Sequence, residues 1–279
     1  MYKYLPPERV DILENNLICF NNPLNFNDPF EFNTSFKLDS FENTLRKNLF
    51  DIDLFQHIPP ELLESIESLP PLEKERIFNE IKYKITSVFE NNKDFIKNTA
   101  HSALQNFNSE LINITRVLSL TKNSSNILMW GHYAQSHSGF ALEFDTNDAY
   151  FNQRRGEKDE FGYLREITYQ RQLPSVDPLL SSVVNHFLIK SLDWAYEEEW
   201  RMLLPETKSI SKKIYNGKKY DLFYIPSSVI KNIIFGCNSS MNLRHAIRDL
   251  IAARDDYKHI NFFQAVRSAT KYEIEIKKI

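Results

Sequence analysis

Three carboxylates in succession, Glu197, Glu198 and Glu199, stand between Tyr196 and Trp200 and are followed by Arg201. If the run Trp194 to Leu204 is a strand, its period of two puts Glu197, Glu199, Arg201 and Leu203 on one face. Trp194, Tyr196, Glu198, Trp200 and Met202 then occupy the other. A Glu-x-Glu-x-Arg row can hold a carboxylate ready to hydrogen-bond a sugar hydroxyl or to stabilise developing positive charge, which makes Glu199 and Glu197 the candidate catalytic acids. The bland reading of the same residues is a helix end or a solvated salt-bridge row. A second constellation, Trp130-Gly131-His132-Tyr133-Ala134-Gln135-Ser136-His137, gathers two imidazoles, an indole and a phenol. These groups suit stacking on a base or a nicotinamide ring while donating hydrogen bonds. Their competing roles are core packing for Trp130 and Tyr133 and a helix C-terminal charge for His137. His132 and His137 are five apart with no Glu between them, which does not match the zinc-binding helix of a metalloprotease. No Gly-x-Ser-x-Gly occurs either, so serine-hydrolase chemistry has no motif here.

The third constellation is Phe26-Asn27-Asp28-Pro29-Phe30-Glu31. Asn or Asp before Pro favours a turn in which the side chain bonds the backbone, so Asn27, Asp28 and Glu31 are expected to form a structural loop ordering the floor of a pocket. Gly236-Cys237-Asn238-Ser239-Ser240, with a single glycine, is expected to be an ordinary helix cap rather than an anion site.

These residues need elements to hold them. Tyr2-Lys3-Tyr4 reads as a short strand, and Pro6-Pro7 opens a helix carrying Val10, Leu13 and Leu17 that Asn15-Asn16 closes. From 41 to 115 the chain turns to charged amphipathic segments, including Glu73 to Glu90, punctuated by Pro59-Pro60 and Pro70-Pro71. This stretch is expected to be a helical insertion packed on a core domain made of 1–40 and 116–279. Arg116 to Leu120 reads as a strand. Ser124-Ser125-Asn126 caps a short helix that Ser138-Gly139 ends, and Phe140 to Asp145 alternates as a half-buried strand does. Leu164 to Tyr169 is a strand candidate and Val176 to Leu192 a helix. Strands at 229–235, 259–266 and 272–279 then flank a helix from about Asn242 to Arg254, and the last of them has one wet face. The expected class is α+β, with short strands scattered among helices rather than the regular alternation of a doubly wound sheet.

Composition narrows the possibilities. At 279 residues, with 42% hydrophobic and 25% charged, the chain is globular in composition. A net charge of -3 removes the whole-chain basic field of a protein living on nucleic acid backbones. Two cysteines, Cys19 and Cys237, cannot build a disulfide framework or a four-cysteine zinc site, and the first residues lack an apolar signal segment. A cytoplasmic location with no membrane partner is the expectation.

Taken in order, Tyr2-Lys3-Tyr4, the Phe26 to Glu31 loop, Trp130-x-His132-Tyr133-Ala134-x-x-His137-x-Gly139-Phe140 and Tyr196-Glu197-x-Glu199-Trp200-Arg201 resemble a large bacterial family of unknown function. A weaker similarity is to the ADP-ribosyltransferase fold, in the branch that includes DNA-modifying toxins and RNA 2'-phosphotransferases. Tyr2-Lys3-Tyr4 followed by Val10 to Leu17 has the shape of that fold's opening strand and helix, and the segment Ile225 to Ile234 resembles the one that follows its late glutamate. Lys3 stands where those enzymes keep His or Arg, and their Ser-Thr-Ser strand has no counterpart.

What the resemblance implies is a fold of ADP-ribosyltransferase-like mixed sheets and an NAD-using ADP-ribosyltransferase or NAD glycohydrolase acting as a toxin or antiphage effector. NAD is then a substrate, and the acceptor is an unspecified nucleic acid or protein. Glu199 or Glu197 would engage the nicotinamide ribose, with Lys3, Tyr4, Trp130, His132, Tyr133, His137 and Arg201 around the dinucleotide. No metal is favoured. The alternatives are a metal-dependent nuclease or phosphodiesterase, in which Asp28, Glu31, Glu197, Glu199 and the histidines hold Mg2+ or Mn2+, and a non-enzymatic protein-binding module.

Overall fold

A computed structural model describes residues 1–50, 59–177, 179–180, 182–215 and 217–279. In chain order the first elements are β1 (Tyr2–Leu5), α1 (Asp11–Asn15), β2 (Leu17–Phe20), β3 (Ser35–Phe36), α2 (Asp39–Phe50), α3 (Pro60–Glu67) and α4 (Pro71–Ile114). There follow β4 (Thr115–Thr121), α5 (Ile127–Tyr133), β5 (Phe140–Phe144), β6 (Leu164–Glu166), β7 (Thr168–Gln170), β8 (Ser175–Val176), β9 (Ile189–Ser191) and β10 (Glu199–Pro205). The chain ends with β11 (Ser211–Tyr215), β12 (Lys218–Tyr224), β13 (Ile230–Phe235), α6 (Met241–Ala252), β14 (Asn261–Arg267) and β15 (Ile274–Lys278). The class is therefore α+β.

The chain forms two compact units, Met1–Asn33 with Glu110–Leu173 and His186–Ile279, and Thr34–Ser109 with Pro174–Asn185. The second unit pairs β3 in parallel with β8, and α3 and α4 start at prolines, Pro60 and Pro71, where a missing N–H costs nothing. Arg46 with Glu90, and Lys97 with Asp39 and Glu42, link α2 to α4. The part of the expected insertion at 51–58 lies outside the described residues, as do positions 178 and 181.

The first unit is built on an eight-stranded sheet in the order β15-β14-β13-β5-β1-β4-β10-β6. Every neighbouring pair is antiparallel except β13 and β14. Phe140, Leu142 and Phe144 join Leu118, Leu120, Met202 and Leu204 in one buried core, but the strand expected to be half-buried is covered on both faces, with Ala141 buried in a second cluster. One seam of the sheet is nearly unpaired. β1 matches β5 over four residues and β10 matches β4 over seven, yet β1 and β4 share only the pair Tyr2 and Thr121. The two strands diverge below that pair and split the sheet. A three-stranded sheet, β11-β12-β2, adjoins the split, and Asn21 closes its far end by exchanging backbone hydrogen bonds of 2.8 and 2.9 Å with Val117 of β4.

Four expectations from the sequence are corrected. The stretch 176–192 is not a helix but β8, a 3₁₀ turn at Val183–Leu188 and β9, because β9 pairs in parallel with β7 and that pairing outweighs the helical spacing of the apolar residues. Leu164 to Tyr169 is two strands in different sheets. The α5 helix stops at Tyr133, ahead of Ser138-Gly139, and Gln135, Ser136 and His137 follow with positive φ of 47°, 53° and 66°. The run Trp194 to Leu204 is not one strand: Leu192–Glu197 is a 3₁₀ helix, Glu198 turns through a left-handed conformation at φ 46°, and β10 begins at Glu199.

Candidate functional site

A cavity of about 570 Å³ occupies the split between β1 and β4. Cross-strand pairing places Tyr2, Thr121 and Glu199 on one face of the sheet, so alternation adds Tyr4 to that face and sends Lys3 and Leu5 to the other. All of these residues line the cavity, which therefore runs through the sheet from one face to the other. Lys3 spans the gap, its Nζ donating to the carbonyl of Ser119 at 3.2 Å.

On the first face the acidic residues meet a buried cation. Lys190 of β9 donates to Glu197 at 2.5 Å and to Glu199 at 3.1 Å, with all three side chains no more than 5% exposed. The other side of Glu199 is held by Arg201, whose Nε and Nη2 donate to the two carboxylate oxygens at 2.7 and 2.9 Å. Arg201 is fully buried. It also pairs with Glu31, donates to the Phe187 carbonyl at 2.7 Å, and lies 5.3 Å from the ring centres of Phe26 and Phe32. The Phe26 to Glu31 loop is thus a clamp on Arg201, and its shape comes from Asp28, which accepts a hydrogen bond from the Phe30 N–H at 2.9 Å. The far end of the chain is Tyr133, whose hydroxyl donates to Glu197 at 2.6 Å. Together Glu31, Arg201, Glu199, Lys190 and Glu197 make a continuous string of three carboxylates and two cations, which when ionised carries one negative charge in excess.

Local fields follow from this packing. Burial raises Glu199 above the ordinary carboxylate range, with Lys190 opposing and Glu197 adding to the effect. Burial works against the Lys190 ammonium, but Glu199 and Glu197 outweigh it and the group is held protonated. The Tyr133 phenol is pushed up, first by burial and then by the Glu197 carboxylate, so it stays a donor.

The other face supplies basic side chains. Arg9, Cys19, Lys213, Tyr220 and Leu222 line the cavity there, contributed by the turn before α1, β2, β11 and β12. Arg9 and Lys213 share one carboxylate, Asp11, at 2.9 and 3.2 Å, and Glu8 also lines the cavity here, so two cations stand with two carboxylates. Arg9 Nη2 is buried without a hydrogen-bond partner. Burial lowers the Lys3 ammonium to about 8, and the neighbouring Arg9 charge adds to the shift.

Of the residues singled out in the sequence, Lys3, Tyr4, Asn27, Tyr133, Glu197 and Glu199 line the cavity. Arg201 does not reach it and acts on it through Glu199. Trp130 is fully buried in the core, edge-on to Tyr4 at 4.8 Å with its indole N–H on the Ser124 carbonyl, so stacking on a ligand passes from it to Tyr133. His132 is exposed and meets the Tyr196 hydroxyl at 3.2 Å, and neither it nor His137 lines the cavity. Asp28 and Glu31 serve the clamp. Sequence reading missed Lys190, Arg9, Cys19 and the β11–β12 hairpin. A lysine within the apolar run from Val183 to Leu192 was the signal for the first, and Asn216-Gly217, the commonest two-residue hairpin pair, was the signal for the last.

A metal reading needs free oxygen ligands. Here Glu197 and Glu199 are taken by Lys190, Arg201 and Tyr133, Asp28 accepts from a backbone N–H and one oxygen of Glu31 is taken by Arg201, while Glu31 Oε2 is buried without a partner. Among the described residues no group of three His, Cys, Asp or Glu side chains is placed to hold a metal ion. No described helix is long and apolar enough to cross a membrane.

Residues 129–202 match a family described as a protein of unknown function, DUF2971. The matched stretch contains Tyr133, Lys190, Glu197, Glu199 and Arg201, whereas Lys3, Arg9 and the Phe26 to Glu31 loop lie outside it. No curated protein and no solved structure matches the chain, and these comparisons give no support to the resemblance to ADP-ribosyltransferases.

Proposed function

We propose that the cavity is the active centre of an NAD-using glycosyl-transfer enzyme, an ADP-ribosyltransferase or NAD glycohydrolase with an ADP-ribosyltransferase-like arrangement of its sheets. One observation carries the reading: a cavity that presents the carboxylates Glu197 and Glu199 on one side also presents the guanidinium of Arg9 and the ammonium of Lys213 on the other, beside Asp11 and Glu8. NAD has the matching polarity, a cationic pyridinium and ribose at one end and an anionic diphosphate beyond.

In the proposed reaction the bond between the ribose anomeric carbon and the pyridinium nitrogen breaks, and its electron pair leaves with neutral nicotinamide. Positive charge then develops on the ribose, and a preorganised, dry carboxylate stabilises that charge better than water does. Glu199 has this role, held in place by Arg201 and Lys190 so that it need not reorganise. Glu197 takes the proton of the attacking water or acceptor, and Tyr133 packs its ring on the nicotinamide. Lys3 donates to a ribose hydroxyl and Arg9 to a phosphate oxygen.

The test is nicotinamide release from NAD, followed chromatographically, with and without added nucleic acid or protein acceptors. The wild type releases nicotinamide, and Glu199→Gln, which keeps the shape and loses the charge, is slower by about 10²-fold or more, in line with the loss of one electrostatic stabiliser. Circular dichroism of both proteins checks that they are folded. Folded wild type that yields no nicotinamide with any acceptor removes the reading.

A further inference from the structure

The cavity holds one amine that its carboxylates do not neutralise. Glu197 and Glu199 are bound by Lys190 and Arg201, and Lys3, on the neighbouring strand, gives its hydrogen bond to the neutral carbonyl of Ser119. Among the described residues Lys3 makes no ion pair. A lysine enclosed beside a second cation is the arrangement that turns an ammonium into a nucleophile. The charged and titratable groups that share the cavity with Lys3 are Glu8 and Arg9 before α1, Cys19 on β2, Lys213 on β11, Glu199 with its partners Lys190 and Glu197, and the phenols of Tyr2, Tyr4, Tyr133 and Tyr220.

We propose that Lys3 is a reactive amine that condenses with the aldehyde of an anionic sugar, an aldose phosphate in its open-chain form. The Lys3 nitrogen attacks the carbonyl carbon, a C–N bond forms, and the carbonyl oxygen takes up a proton to give a carbinolamine. The carbinolamine loses its hydroxyl as water, with a proton supplied by the hydrogen-bonded group formed by Tyr133, Glu197 and Glu199. The sum is amine plus aldehyde to imine plus water, with no oxidant or reductant. The phosphate is met by Arg9 and Lys213, whose one ion-pair partner is Asp11 although the Glu8 carboxylate also lines the cavity, and Arg9 Nη2 is a buried donor without a hydrogen-bond partner. The sugar hydroxyls face Glu197 and the tyrosines. The lowered proton affinity of Lys3 supports the assignment: near pH 8 about half of these amines are neutral, against roughly one in 250 of an exposed lysine.

The proposal does not depend on NAD cleavage. The full-length protein is incubated with ribose 5-phosphate and sodium cyanoborohydride, which reduces an imine to a stable secondary amine, and the adduct is mapped by mass spectrometry with fragmentation that separates Lys3 from the Met1 amine. Lys3 is expected to be labelled at least about tenfold faster than Lys258 and Lys271, whose side chains are 73% and 71% exposed. Its rate is expected to rise with pH with a midpoint near 8, and to fall several-fold with ribose, which lacks the phosphate. Labelling of Lys3 no faster than the exposed lysines, or equal labelling by ribose, overturns the proposal. Because the wild-type protein is the sample, misfolding of a variant cannot mimic either result, and Lys3→Arg serves only to confirm the site. Nicotinamide release does not enter the readout, so this proposal and the NAD reading fail separately.

Discussion

Replacing Lys190 with methionine tests whether the buried string of charges is held together as described. Lys190 is 4% exposed and touches carboxylates that are 4% and 5% exposed. Methionine keeps the stem and removes the charge, leaving three carboxylates with Arg201 alone. Removing one partner of a buried pair typically costs about 3–5 kcal/mol, because the charge left behind stays desolvated. In a unit of this size that lowers the melting temperature by about 6–20 °C. The pH dependence sharpens the test. Glu199 already binds its proton more tightly in the folded chain, and Lys190 is what restrains that shift. Without Lys190 the folded variant takes up protons that the unfolded chain does not, so its stability rises as pH falls and its deficit against wild type shrinks between about pH 7 and pH 5. The wild-type contribution of Lys190 has the same sign in a higher pH range. Its folded proton affinity is raised, so the contribution is complete below 10.5 and disappears as pH climbs beyond that. The assay is urea unfolding at several pH values, followed by tryptophan fluorescence, with Trp194 only 5.0 Å from the Lys190 ammonium. A loss under 1 kcal/mol at pH 7, or a loss that does not change with pH, refutes the electrostatic account.

Three further variants follow from the packing. Glycine 139 leads into β5 where β1 passes closest, and a Cβ there would stand 2.0 Å from the Leu5 carbonyl oxygen, so Gly139→Ala is expected to cost at least the upper end of the 1–3 kcal/mol of an overpacked site, whereas Gly131→Ala in α5, with nothing within 4 Å, is neutral or stabilising by up to about 1 kcal/mol; thermal melts of the two variants give the comparison. The combined variant Glu197→Leu, Lys190→Met, Glu199→Leu is expected to regain most of the stability lost by Lys190→Met alone, since well-packed apolar groups often replace buried ion pairs without loss; a combined variant less stable than the single one contradicts this.

Local physics was legible in the sequence. Asn126 accepts from the N–H groups of Leu128 and Met129, Asp28 makes its turn, and Pro60 and Pro71 begin their helices, each because the side chain acts on backbone within a few residues. The acidic row was legible as chemistry and misread as geometry. Glu197 and Glu199 approach each other because Glu198 takes a left-handed turn between a 3₁₀ helix and β10, and both reach one lysine nine or fewer positions earlier in the chain. Nothing in the local pattern announces such a bend at a glutamate, which ordinarily avoids positive φ. The split between β1 and β4 was equally hidden, since it depends on which strands fail to pair across more than a hundred residues of chain.

The split also explains why the charges are where they are. A sheet whose seam is closed hides its backbone in hydrogen bonds and offers only side chains to a ligand. An open seam brings the two faces into one space, so an acidic group carried on one face and a basic group carried on the other act on the same molecule. The string of Glu31, Arg201, Glu199, Lys190 and Glu197 is a poor choice for stability alone, because apolar side chains would fill the same volume at less desolvation cost. Its one surplus negative charge has no partner among its own members. It is held instead at the wall of a cavity whose other side carries Arg9 and Lys213, where a ligand that separates opposite charges would meet both kinds of group.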